Sequence, residues 1–185
     1  GGLNTNAYVS EATGRTQTIR QPTQPKRVVY GTIRVGGVIT FIGTEGAKNK
    51  YLHVLVTFTG HPIKSFDSFR IDDQNVTLSG NAVSAPARYV RRTPRHFYVH
   101  VYTRLGNFNQ AAHTTLTNAF GNFTSEYKQS GCANAHFIFE FDDEAYPNGL
   151  PNVTAVISGV TNIFDPRTST SGFTRNSALC IRDYL

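Results

Sequence analysis

The chain has 185 residues, 39% of them hydrophobic and 12% aromatic. That is enough to bury one core, and it excludes a disordered linker. No apolar run approaches the roughly 20 residues that a bilayer-crossing helix needs, so no membrane span is expected. Eighteen basic against 12 acidic side chains leave a formal charge of +6, which raises the question of an anionic partner.

Gly1-Gly-Leu-Asn-Thr-Asn6 has neither the basic start nor the apolar run of a secretory signal, and no methionine occurs anywhere. The expectation is that both ends are cut from a longer protein. Residues 27–34 and 38–42 flank Gly36-Gly37, and the pattern predicts a hairpin there. Residues 51–58 predict a nearly continuous apolar strand with Leu52, Val54, Val56 and Phe58 on one face. Strands at 66–71 and 76–78 bracket a polar turn, Asp72-Asp-Gln-Asn75. Residues 96–103 alternate, which groups Phe97, Val99 and Val101 against His96, Tyr98, His100 and Tyr102.

Residues 109–120 predict one short internal helix, with Ala112, Leu116 and Phe120 spaced by four. A strand follows at 135–141. Asp142-Asp-Glu144 then opens a turn at Pro147-Asn-Gly149. Val153, Ala155 and Ile157 alternate with Thr154, Val156 and Ser158, so both faces of that strand are expected to be covered. Asp165-Pro166 ends the next run, because proline has no N–H to give a ladder. Asn176 stands where a helix N-cap belongs, ahead of Ala178, Leu179, Ile181, Arg182 and Leu185. About two turns of helix are too few to stand alone, so a partner or further chain is expected to cover them. Many short strands predict a mainly β, antiparallel sandwich or barrel with one short internal helix and a truncated C-terminal helix. The whole of 1–185 reads as one β-rich region, with a sub-boundary placed near 79–110.

Arg88, Arg91, Arg92, Arg95 and Arg104 cluster around the 96–103 strand, among Tyr89, Phe97, Tyr98 and Tyr102. Two readings stay open: a basic strand facing DNA or an acidic neighbour, or a charged edge that discourages unwanted pairing. Histidines at 53, 61, 96, 100, 113 and 136 show neither His-Glu-x-x-His nor any helix-face pair, and are expected at the surface or in interfaces. Cys132 and Cys180 lack the spacing of a zinc or redox motif and are expected to be free thiols. No nucleophile elbow or phosphate loop occurs, so the sequence predicts no enzyme, no metal and no cofactor.

Three C-terminal segments carry a resemblance: Tyr146-Pro-Asn-Gly-Leu-Pro-Asn-Val-Thr-Ala-Val-Ile-Ser-Gly159, Asn162-Ile-Phe-Asp-Pro-Arg-Thr168 and Arg175-Asn-Ser-Ala-Leu-Cys-Ile-Arg-Asp-Tyr-Leu185. Two N-terminal ones join them, Arg20 to Gly37 and Asn49 to Val56. In this order they resemble the central tail-hub, or host-specificity, protein of long-tailed bacteriophages over residues 20–185, with 79–110 matching poorly. Phe164 stands where that family more often has tyrosine, and Ser177 where it has proline. The resemblance implies a homotrimer at the tail tip of a virion, made in the bacterial cytoplasm. It further implies partners in the distal tail ring, the tape measure and the tail tube, with transient contact to phage DNA as the channel opens. Leu179, Ile181, Tyr184 and Leu185 would then serve intersubunit or intrachain packing. The other class of function considered is a carbohydrate-binding or carbohydrate-active β-sandwich. It is weakened by the absence of tryptophan and of a separated acid pair.

Overall fold

A computed structural model describes residues 25–92, 94–143, 145–146 and 149–185. The first residues of the Arg20–Gly37 segment, Glu144 and the Pro147-Asn148 turn lie outside the described residues. Thirteen strands occur among the described residues. In chain order they are β1 (Thr32–Gly36), β2 (Val38–Glu45), β3 (Tyr51–Thr57), β4 (Ser65–Ile71), β5 (Gln74–Ser79), β6 (Ala82–Ala85) and β7 (Val90–Arg92). There follow β8 (Arg95–Phe97), β9 (Val99–Leu105), helix α1 (Thr114–Ala119), β10 (Ala133–Glu140), β11 (Val153–Ser158), β12 (Ile163–Asp165), β13 (Thr170–Gly172) and helix α2 (Ser177–Tyr184). The fold is mainly β and antiparallel.

Nine strands join in the order β1-β11-β4-β5-β6-β9-β10-β3-β2. The two edge strands, β1 and β2, are consecutive in the chain with only Gly37 between them. The sheet therefore curls until its edges meet at that residue. Its middle is a thin seam, because β6 and β9 pair only through Ala82 and His100. Two half-sheets thus face each other over one core, joined at the seam on one side and at Gly37 on the other, which is why barrel and sandwich both describe the architecture.

The predicted hairpin at Gly36-Gly37 does not form. β1 pairs β11, and β2 pairs β3. A two-residue hairpin turn needs positive φ, and neither glycine adopts it. The place of Gly37 is instead a corner. A Cβ there would lie 2.2 Å from Val56 Cγ1 and 2.9 Å from the Thr57 carbonyl oxygen. By contrast the Asp72-Asp73 turn between β4 and β5 is tight and left-handed, with φ of 48° and 64°, the geometry of a type I′ hairpin.

Inside the sheet, Val54, Val56, Phe58, Phe69, Ile71, Val83, Val99, Val101, Phe137, Ala155 and Ile157 form the core. Phe66, Phe69, Phe137, Phe139, Tyr146 and Tyr89 form a continuous ladder of rings with neighbouring centroids 5.2 to 5.9 Å apart. Tyr146, the aromatic head of the C-terminal motif, donates its hydroxyl to the Tyr98 carbonyl at 3.0 Å. Both faces of β11 are covered, as its alternation predicts.

The strand expected at 96–103 is two strands. β8 pairs β7 in a separate ribbon, while β9 enters the main sheet, with the break at Tyr98. The Tyr98 backbone turns to bond Tyr89 and Glu140. The helix expected at 109–120 shrinks to Thr114–Ala119, because Gln110 forms a turn with Asn107 and His113 is extended. Ala112 and Leu116 still face inward together, with Phe120 packed beside them. Asn176 caps α2, accepting from the N–H groups of Ala178 and Leu179 at 3.0 and 3.4 Å. Cys132 and Cys180 are free, half-buried thiols.

Candidate interaction surfaces and a buried histidine relay

Four of the five expected arginines lie close in the chain on the β7–β8 ribbon and the turn before it; the fifth lies elsewhere. Arg88 stacks over the Tyr89 ring at 4.7 Å and pairs with Asp72 at 3.7 Å, so its charge is already answered. Arg91 and Arg95 are exposed, Arg95 over the Phe97 ring at 5.0 Å, and Arg92 belongs to the same ribbon. Arg104 stands at the far end of β9, five residues and about 17 Å of strand from Val99. Its guanidinium donates to the carbonyls of Thr103, Ala111 and Ala112 at 3.2 to 3.5 Å. It is a backbone clamp rather than part of the ribbon's basic face. Beside the ribbon, Glu140 accepts from His96 at 2.6 Å and from Lys50 at 3.0 Å. Burial pushes the Glu140 carboxyl up, but Lys50 and His96 together outweigh it and hold it below its ordinary value.

The second surface is α2. Tyr30 donates to Asp183 at 3.0 Å and Arg175 donates to Thr32 at 3.2 Å, tying the helix to the segment that enters β1. Between them lies an apolar groove of about 580 Å³ lined by Val28, Tyr30, Cys180, Ile181 and Tyr184. Ile181, Tyr184 and Leu185 are 59%, 76% and 97% exposed, while Leu179 is half-buried. Three of the four predicted interface side chains therefore face solvent, beside exposed Phe164 and Val28.

The sequence pattern does not announce the third feature. His53, His113 and His136, expected at the surface or in interfaces, are buried inside the chain's own fold. They lie under residues 106–132, the long connection from β9 to β10 that carries α1 and covers the outer face of β3 and β10. Glu45 Oε1 is 3.0 Å from His53 Nε2, His53 Nδ1 is 3.1 Å from His136 Nε2, and His136 Nδ1 is 2.8 Å from Thr115 Oγ1. His113 Nε2 is 2.7 Å from Asn134 Oδ1. Burial lowers all three imidazoles, His113 to about 4 and His136 to about 2; for His53 the Glu45 carboxylate opposes the shift. The one available signal was parity: in β10, Asn134 and His136 alternate with Ala135, Phe137 and Phe139, which places both on the outer face. Nothing in the sequence told that this face is covered. Among the described residues, no group of three His, Cys, Asp or Glu side chains is placed to hold a metal ion, and no helix is long and apolar enough to cross a membrane.

No protein-family model matches the chain, and no curated protein matches it. Among solved structures, it is similar to a chain in the structure described as the virion of a native gene transfer agent (GTA) particle. The similarity has a TM-score of 0.50 and 14% identity, and covers 82% of this chain but 31% of that one. The two share a fold across most of the present chain, which spans just under a third of the length of its counterpart.

Proposed function

We propose that this chain is a structural part of a phage-type virion that acts by association rather than by bond-making. The observation that carries the reading is the fold shared over 82% of the chain with a component of a gene transfer agent particle. The ordered motifs of the sequence support a finer assignment to the tail tip: a homotrimeric hub below the tail tube, in contact with the distal tail ring and the tape measure, that closes and then opens the channel for DNA. The exposed apolar side of α2 suits protein packing, and the Arg91 and Arg95 ribbon suits an anionic partner, either DNA or an acidic neighbouring subunit.

Sedimentation velocity on the purified chain, with a glycan array in parallel, tests this. A species of three times the 20.4 kDa chain mass supports the hub reading. A monomer that binds glycans overturns it in favour of a carbohydrate-binding sandwich.

A further inference from the structure

The donors and acceptors of the buried histidines can be assigned one by one. Glu45 carries a carboxylate, so His53 Nε2–H donates to it and leaves Nδ1 bare. That nitrogen accepts from His136 Nε2–H, which leaves His136 Nδ1 bare to accept from the Thr115 hydroxyl. Every proton is placed once, and the chain of bonds ends on α1. His113, one residue ahead of α1, donates to Asn134 of β10 in the same way. The connecting segment is thus docked on the sheet by a relay in which His53 and His136 each accept through a bare nitrogen and so are neutral, and by His113, whose burial opposes a charge although its bond to Asn134 would tolerate one.

We propose that residues 113–127 form an acid-released flap, docked over the outer face of β3 and β10 while the histidine relay is neutral and lifted when the relay takes up protons. The groups around His136 leave an added charge unanswered. His136 is faced by His53 of β3, Tyr102 of β9, and His113 and Thr115 of the flap, while Glu140, the carboxylate on the same face of β10, lies four residues along the strand and is held by His96 and Lys50. The carboxylate of the relay, Glu45 on β2, is already bonded to the far side of His53. Tyr102 and His53 sandwich the His136 ring at centroid distances of 6.1 and 5.1 Å, and its side chain has no solvent exposure. A cation there loses its hydration and gains no adjacent counter-charge.

The flap is also the weakest partner in the contact. β10 is laddered to β3 and to β9 by seven residue pairs each. The flap is held by side-chain bonds and a small apolar cluster of Leu55, Ala112, Leu116 and Phe123, with Phe41 and Phe120 beside it. Its base stays pinned while its tip lifts. Gln110 accepts from the Gly106 N–H at 2.9 Å and donates to the carbonyls of Lys128, Gln129 and Cys132 at 2.8 to 3.1 Å. Lifting exposes His113 and His136 to water, together with Leu55 and Phe41, so acid uncovers a fresh apolar surface.

The test is amide hydrogen exchange of the whole chain at pH 7.5 and pH 4.5, corrected for the intrinsic pH dependence of exchange. The expected result is a fall in protection on the order of 10⁴-fold across 113–127 with β10 and β11 unchanged, because two buried histidines each couple opening to a proton and pH 4.5 lies about two units below their ordinary value. Uniform loss over the sheet, or no loss in 113–127, overturns the proposal. His136→Gln removes one proton site and is expected to cut the acid response about a hundredfold. Should that variant not fold, His113→Gln provides the same comparison, and an undiminished response in the variant that folds overturns the proposal.

Discussion

Gly37 has no room for a side chain, because Val56 and Thr57 already fill the place of its Cβ. Gly37→Ala is expected to cost about 1–3 kcal/mol through overpacking at the corner where the sheet closes. The midpoint of thermal unfolding should then drop by several degrees, roughly 2–4 °C per kcal/mol for a chain of this size. An unchanged midpoint would refute the corner role. Tyr146 offers a sharper contrast. Its ring packs between Phe139 and Tyr89, while its hydroxyl donates to a Tyr98 carbonyl that also accepts from the Glu140 N–H. Tyr146→Phe should cost about 1 kcal/mol or less, because that carbonyl keeps a partner. Tyr146→Ala should cost about 3–5 kcal/mol, because the ring ladder loses a rung. Urea titrations of the two variants separate the contributions, and equal losses would mean that the hydroxyl, not the ring, holds the site.

At the scale of elements, the connection from β9 to β10 illustrates how a loop becomes a layer. It is long, and long segments without much regular structure need side-chain bonds to hold their backbone. Gln110 supplies four such bonds, three of them to carbonyls at the closing end of the segment. Gln110→Ala leaves the Gly106 N–H and those carbonyls without this partner and is expected to destabilise by about 1–3 kcal/mol. Hydrogen exchange should show the loss first in 106–132; a loss confined to β11 would contradict the assignment. Helix α2 owes its start to Asn176, and Asn176→Ala should cost about 1 kcal/mol, read as a fall in amide protection of Ala178 and Leu179.

For the whole molecule, the three buried histidines set the direction of its pH dependence. Each has a folded value below its ordinary one, so the unfolded chain binds more protons once the pH falls below about 6.5. The stability they contribute is complete above that pH and is lost as the pH falls toward about 4 for His113 and about 2 for His136. Between pH 7 and 5 the loss should reach a few kcal/mol, since each proton that only the unfolded chain binds is worth about 1.4 kcal/mol for every tenfold rise in acidity. Urea midpoints measured at pH 7, 6 and 5 check this, and a flat series would show that the histidines are not buried in solution. Asp165 acts much later: Arg167 bonds both its carboxylate oxygens and holds it at about 2, so its share disappears only as the pH falls through that value.

The class of fold is legible in the residues alone, because a period of two is written into β3, β9, β10 and β11, and turn chemistry into Asp72-Asp73 and Asp165-Pro166. The Asn176 cap and the apolar side of α2 are legible in the same way, since a cap and a helical spacing are local. Three outcomes needed the folded chain: Gly36-Gly37 is a corner rather than a hairpin, Arg104 clamps the start of the β9–β10 connection away from the other arginines, and three histidines are buried. Those outcomes depend on which strands pair across long stretches of chain and on what covers an outer face. Strand alternation records which side of a sheet a residue occupies, but not whether another segment will fold over that side.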